Sequence, residues 1–253
     1  MEVGEHLDAL RREGELLAAA AEGSDLDTPI PTCPEWRMRD LVRHIGDVHR
    51  WARAHVAEGR LKPIGPKDLP DVAGPLPEDD DLLEWFRQGH ARLVRTLETA
   101  DPTTECWTFL PAQSPVAFWS RRQAHETGIH RADAESPAGL AGMTPFPPGF
   151  AVDGIEEMLF GFLISGGGLR ADPPRTLHLH ATDIDGEWDV RFDELVEVRR
   201  EHASADCTVR GPASDLHLLM WNRRSPEGLD VEGDASVLDF WRQNAKIQWG
   251  RPR

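Results

Sequence analysis

The chain contains no tyrosine, and its lysines are confined to Lys62, Lys67 and Lys246. Cysteine is almost as scarce. Cys33, Cys106 and Cys207 are far apart, odd in number and free of any CxxC pair. That excludes a disulfide framework and a thiolate zinc site, and it fits a reducing compartment. No apolar run approaches the length that spans a bilayer. Positive charge is in deficit: 44 acidic residues against 28 Lys and Arg give a formal charge of −16. A nucleic acid or an anionic membrane surface needs a basic face, so neither is an expected partner. The opening residues Met1-Glu2-Val3-Gly4-Glu5-His6 carry acids where a signal peptide carries a basic region. The expectation is therefore a cytoplasmic protein with a small-molecule substrate, monomeric or homodimeric.

What is present suffices for real cores: 253 residues, 40% of them hydrophobic, fit two modest domains or one large one. The first two-thirds read as helices between proline-rich connections. Leu7, Leu10, Leu16 and Leu17 recur at near-helical spacing over Val3 to Glu22, which stops at Gly23. The prolines Pro29, Pro31 and Pro34 forbid a continuous helix, and Thr32 with Glu35 has capping-box spacing before a second helix from Met38 to Glu58. A Pro- and Gly-rich loop follows from Lys62 to Pro77. Further helices are expected over Asp79 to Glu98, Val116 to Ala134 and Pro148 to Ile164, the last leading into a flexible break at Gly166-Gly167-Gly168.

Beyond that break the period changes from helical to alternating. Arg175 to Thr182 and Glu187 to Asp193 read as strands joined by a hairpin turn at Asp183-Ile184-Asp185-Gly186. Strands at Val196 to Arg200, Cys207 to Arg210 and Leu229 to Glu232, with helices at Ala213 to Asn222 and Ala235 to Ile247, complete a small α+β domain with one antiparallel sheet. The expected division is a helical domain over residues 1–165 and an α+β domain over 170–253.

One spacing carries chemistry. Glu126 and His130 lie four residues apart, so a helix presents both on one face, one turn apart. On the second helix Leu41, His44, Val48 and Trp51 form an apolar stripe that turns His44 inward, whereas His49 falls off that stripe. Two readings stand side by side. In one, Glu126 pairs with Arg122 and His130 with Asp133, as ordinary intrahelical contacts. In the other, His44, Glu126 and His130 hold a metal ion with an open position, as a catalytic zinc site requires.

The segment from Pro31 to Trp51, with Pro34-Glu35-Trp36 and His44, resembles the opening signature of actinobacterial proteins related to mycothiol-dependent maleylpyruvate isomerase, within the DinB-like superfamily. Arg121 to Asp133 resembles the second block of that family, and Cys207 to Arg223 with Leu229 to Asp234 resembles its C-terminal domain. The resemblance implies a DinB-like four-helix bundle followed by a sterol-carrier-protein-like α+β domain. It implies a divalent metal, zinc by type, on His44, Glu126 and His130, since the isomerase branch has Glu as the middle ligand. It also implies mycothiol as cosubstrate, attacking a small electrophilic acid. The metal-bound nucleophile is then a thiol or, alternatively, a water. A carrier that binds an apolar ligand beside a structural metal is the non-enzymatic alternative.

Other residues keep two readings each. Arg223 or Arg224 clamps an anionic group, or caps a helix C-terminus. His125 and His49 act beside the metal, or are hydrogen-bonded helix histidines. Arg223 and His125 are the candidate catalytic residues. Cys33 is suggestive before the metal helix, but a packed thiol accounts for it. His178 and His180 alternate with leucines and line a cleft or face solvent, an exposed sheet face being the simpler expectation.

Overall fold

The computed structural model describes residues 1–165 and 169–245. The Gly166-Gly167-Gly168 break and the expected end of the last helix at Ile247 lie outside the described residues. The architecture is a helical N-terminal region followed by a C-terminal unit built on a sheet.

Four long helices make the first unit: α1 (Val3–Glu22), α2 (Met38–Glu58), α4 (Asp79–Thr99) and α5 (Pro115–Glu135), with a short α3 (Leu69–Ala73) in the proline-rich loop. Each end has a local cause. The Glu5 carboxylate accepts the Glu2 N–H at 2.7 Å, and Asp40 accepts the Arg37 N–H at 2.9 Å. Thus Asp40, not the Thr32/Glu35 pair, caps α2; Thr32 instead donates to Ser136 Oγ at 3.3 Å. Gly59 ends α2 at φ 58°, a left-handed conformation that glycine adopts without a Cβ penalty. Asp79, Asp80 and Asp81 sit in the first turn of α4, where the helix dipole favours negative charge. Ser114 accepts the Ala117 N–H at 3.1 Å, with Pro115 preset for the first turn of α5.

α1 packs on α4 and α5, and α2 packs on α4 and α5. Leu17, Ile30, Met38, Leu41, Ile45, Leu82 and Phe86 share one buried cluster. Helix α2 buries a wider arc than its stripe implied: Val42, Ile45 and His49 are enclosed as fully as Leu41. Gly46 allows this close approach, because a Cβ there would lie 2.1 Å from the Trp85 ring of α4. Helix α5 is buried around nearly its whole circumference although it carries Arg122, Gln123, His125, Glu126, His130, Arg131 and Asp133. Polar groups so enclosed must find partners within the protein.

The compact units divide between Thr144 and Pro145, earlier than the glycine triplet. The reason is that α6 (Pro148–Glu156) packs on α7 (Ala213–Met220), with Phe146 and Phe150 against His217. α6 continues as a π-helical stretch over Glu157–Leu163, where one unbroken helix was expected. The sheet has five strands in the order β3-β2-β1-β4-β5: β1 (Arg175–Ala181), β2 (Glu187–Phe192), β3 (Glu197–Arg199), β4 (Cys207–Gly211) and β5 (Asp230–Gly233).

The expectation of one antiparallel sheet is corrected here. β1 pairs antiparallel with β2 but parallel with β4, Leu177 facing Cys207 and His180 facing Arg210. A meander β1-β2-β3 must therefore be followed by a crossover, residues 200–206, that returns the chain to the other edge of β1. Leu177, Leu179, Trp188, Val190 and Val209 face the core, with α8 (Ser236–Asn244) supplying Trp241.

Candidate metal centre

Helix α5 brings Glu126 and His130 together, and α2 delivers His44 to the same point. His44 Nε2 lies 3.5 Å from Glu126 Oε1, and His130 Nε2 lies 3.4 Å from that oxygen. One ligand atom from each of the three residues falls within 4.8 Å of the others. Donors around a tetrahedral ion at about 2.0–2.1 Å are spaced about 3.3–3.4 Å apart, so the two shorter edges have the size zinc coordination requires. His44 Nε2 and Glu126 Oε1 are buried and make no hydrogen bond among the described residues. Such atoms are costly to bury, and a cation between them would satisfy both. The residues present fit a divalent metal with three protein donors.

The two readings of this region prove compatible. Arg122 donates to Glu126 at 2.9 Å, but to Oε2, leaving Oε1 directed at the histidines. Asp133 Oδ2 lies 2.9 Å from His130 Nδ1, leaving Nε2 on the Glu126 side. The helical ion pairs thus orient the donors and do not compete for them, the arrangement metal-ligating histidines and carboxylates usually show. Cys33 Sγ donates to the same Asp133 oxygen at 3.5 Å.

Charge follows from this packing. Burial works against ionising Glu126, yet His130, His44 and Arg122 hold its carboxyl well below the ordinary range. Burial lowers His44, keeping it neutral and able to donate its lone pair. Burial would also lower His130, but Asp133 and Glu126 together raise it.

The proline-rich loop builds one wall. Ile30 N–H bonds to Trp36 O at 3.0 Å and Trp36 N–H to Cys33 O at 2.8 Å, a tight fold that presents the half-buried Trp36 ring. That ring lies 4.8 Å from His44 and 5.8 Å from His130, centroid to centroid. Trp36 was not a candidate from spacing, although it stands inside the first family-like block.

His49, expected off the inward stripe, is fully buried and lies 2.9 Å from Thr127 Oγ1 of α5. His125 is fully buried on another side of α5, its ring 6.1 Å from that of His6, so the structure does not bring it to the three donors. Arg223 follows α7 in the second unit, half-buried, with Nη1 donating to Trp221 O at 3.0 Å. Arg224 pairs with Asp215. His178 departs from expectation: it is 1% exposed, whereas His180 is half-exposed.

Comparison with known proteins gives the family and the fold. The model of the mycothiol maleylpyruvate isomerase N-terminal domain matches residues 7–135, and the corresponding C-terminal domain model matches residues 149–240. The chain belongs to the mycothiol maleylpyruvate isomerase family. Among solved structures it resembles the mycothiol-dependent maleylpyruvate isomerase at a TM-score of 0.62 and 15% identity. A histidine-to-alanine mutant of that enzyme matches at 0.63 and 14%. Each match covers 91% of this chain and 93% of the other. At such identities the likeness establishes a shared fold. A third structure, a UbiJ-SCP2 ubiquinone synthesis protein, covers 41% of this chain at a TM-score of 0.28, too distant to argue from. No curated protein matches the chain. Among the described residues no helix is long and apolar enough to cross a membrane.

Proposed function

We propose that the protein is a metal-dependent enzyme that uses the thiol of mycothiol to isomerise, or add to, a small electrophilic acid of the maleylpyruvate type. The observation that carries this reading is the buried triangle of His44 Nε2, Glu126 Oε1 and His130 Nε2, with the remaining atoms of Glu126 and His130 already committed to Arg122 and Asp133. Family membership supports the thiol; the triangle supports the metal.

His44, Glu126 and His130 would hold the ion. A zinc-type ion bound there would supply a Lewis acid that keeps a thiol as thiolate near neutral pH. Arg122 keeps Glu126 ionised and fixes its rotamer, and Asp133 holds His130 in the tautomer whose Nε2 is free to coordinate. With three protein donors, a fourth position remains for an exogenous group, as catalytic sites require. Trp36 gives this position an apolar wall that limits water.

The test is turnover of maleylpyruvate by the zinc-loaded protein with and without mycothiol. Turnover only with the thiol, abolished by His44→Ala, is the expected result. Turnover independent of thiol would replace this reading with a metal-bound water mechanism, and co-purified lipid without turnover would favour a carrier.

A further inference from the structure

The second unit contains another cluster of metal-ligating side chains, independent of the bundle and of the proposed reaction. Alternation along β1 sends Leu177, Leu179 and Ala181 to the core and His178 and His180 to the opposite face. The antiparallel register places Glu187 of β2 beside His180 and Asp189 beside His178. The crossover 200–206, which the parallel pairing of β1 with β4 requires, carries His202 to that face. The His202 ring lies 5.0 Å from that of His178. Asp206 then pins the end of the crossover by accepting the Thr176 N–H at 2.7 Å.

Glu187 is the centre of the group. Its Oε1 meets His180 Nδ1 in a short contact, while its Oε2 lies 3.1 Å from His202 Nδ1 and 4.0 Å from His178 Nε2. Ligand atoms of His178, His180 and Glu187 all fall within 4.8 Å of one another. A simple charge cluster accounts for His180 and His202, which flank a carboxylate. It leaves His178 unexplained. That ring is 1% exposed, and neither of its nitrogens has a hydrogen-bond partner among the described residues. An imidazole buried in this way is costly, and a cation seated between it and Glu187 removes the cost.

We propose that His178, His180, Glu187 and His202 form a second site for a divalent transition metal on the outer face of the sheet. Three imidazoles and one carboxylate are donors that suit zinc, copper or nickel and not magnesium or calcium. Two of the imidazoles come from alternate positions of a single rigid strand, which fixes their separation before any ion arrives.

The test uses the metal-stripped full chain carrying His44→Ala, so that the bundle cluster lacks a ligand, titrated with zinc alone against a chromophoric chelator. The expected result is one tight equivalent, with affinity falling by at least about 100-fold on adding His178→Ala or Glu187→Gln, beyond the usual effect of losing an outer-sphere partner. Because His178 is buried, its removal threatens folding. The rim variant His180→Ala/His202→Ala supplies the same test at exposed positions, with circular dichroism confirming an unchanged fold. Zinc bound only weakly by the His44→Ala chain, or affinity that survives the rim double variant within about threefold, overturns the proposal.

Discussion

The two histidine clusters use the same side chains in opposite surroundings. In the bundle, Glu126 and His130 are at most 2% exposed at the side chain, and each is braced by a further buried partner, Arg122 or Asp133. On the sheet, Glu187 is 23% exposed and is shared among three histidines, with no arginine brace among the described residues. The first cluster is preorganised by a helix enclosed on all sides; the second depends on a strand register and a crossover loop. Enclosure removes water as an alternative partner, so the Glu126 carboxylate carries more free energy than the partly exposed Glu187 carboxylate.

Removing the carboxylate should expose this difference most sharply. Glu126→Ala leaves Arg122 buried without this partner and should cost about 3–5 kcal/mol in denaturant unfolding, besides abolishing metal uptake. An effect below that of an ordinary surface substitution would mean that the bundle cluster is solvated.

Acid is the next lever. Burial first, then nearby His90 and Arg50, hold His49 well below its ordinary value of about 6.5, and burial likewise lowers His90. A basic group depressed in the folded state is protonated first in the unfolded chain, so stability falls as pH drops below about 6.5 and continues to fall until the folded group itself titrates. Each such histidine contributes about 1.4 kcal/mol per pH unit in that window. Hydrogen exchange should report α2 and α4, which carry His49 and His90, opening before the sheet, where burial lowers His178. Equal acid sensitivity of the two units would contradict the comparison.

A subtler change keeps all three donors. Asp133→Asn should lower zinc affinity about 10- to 100-fold by loosening His130, with little loss of fold. Unchanged affinity would show that Asp133 does not orient the ring. The smallest effect is expected on the sheet: Glu187→Ala in the metal-free chain should change stability by less than about 1 kcal/mol, as for other partly exposed pairs. A larger loss would place that cluster in the same class as the bundle.

These contrasts also mark where the sequence was legible. Strong helical periods, with a stop at Gly23 and prolines ahead of Met38, placed α1 and α2 from Val3 to Glu22 and from Met38 to Glu58, as observed, although the cap of α2 proved to be Asp40. The four-residue spacing of Glu126 and His130 and the stripe through His44 anticipated that these three side chains meet, because helix geometry converts spacing directly into direction. Strand partners have no such local code. The parallel pairing of β1 with β4 depends on where the crossover returns, and the burial of His178 depends on that same crossover. Polar α5 could not announce its enclosure either, since much of its charge is paired within the helix and with α1: Arg131 Nε, for example, donates to Glu13 at 2.7 Å. Trp36 and Cys33 meet the cluster through a folded loop, a placement that no periodicity encodes.

The central claim is that three side chains from two helices hold one ion with a position to spare. Anomalous diffraction from crystals of the zinc-loaded protein at the zinc edge tests it directly. The account predicts a peak about 2.0–2.2 Å from His44 Nε2, Glu126 Oε1 and His130 Nε2, with a non-protein fourth ligand. No peak between these atoms, or an ion closed off by a fourth protein side chain, would contradict it.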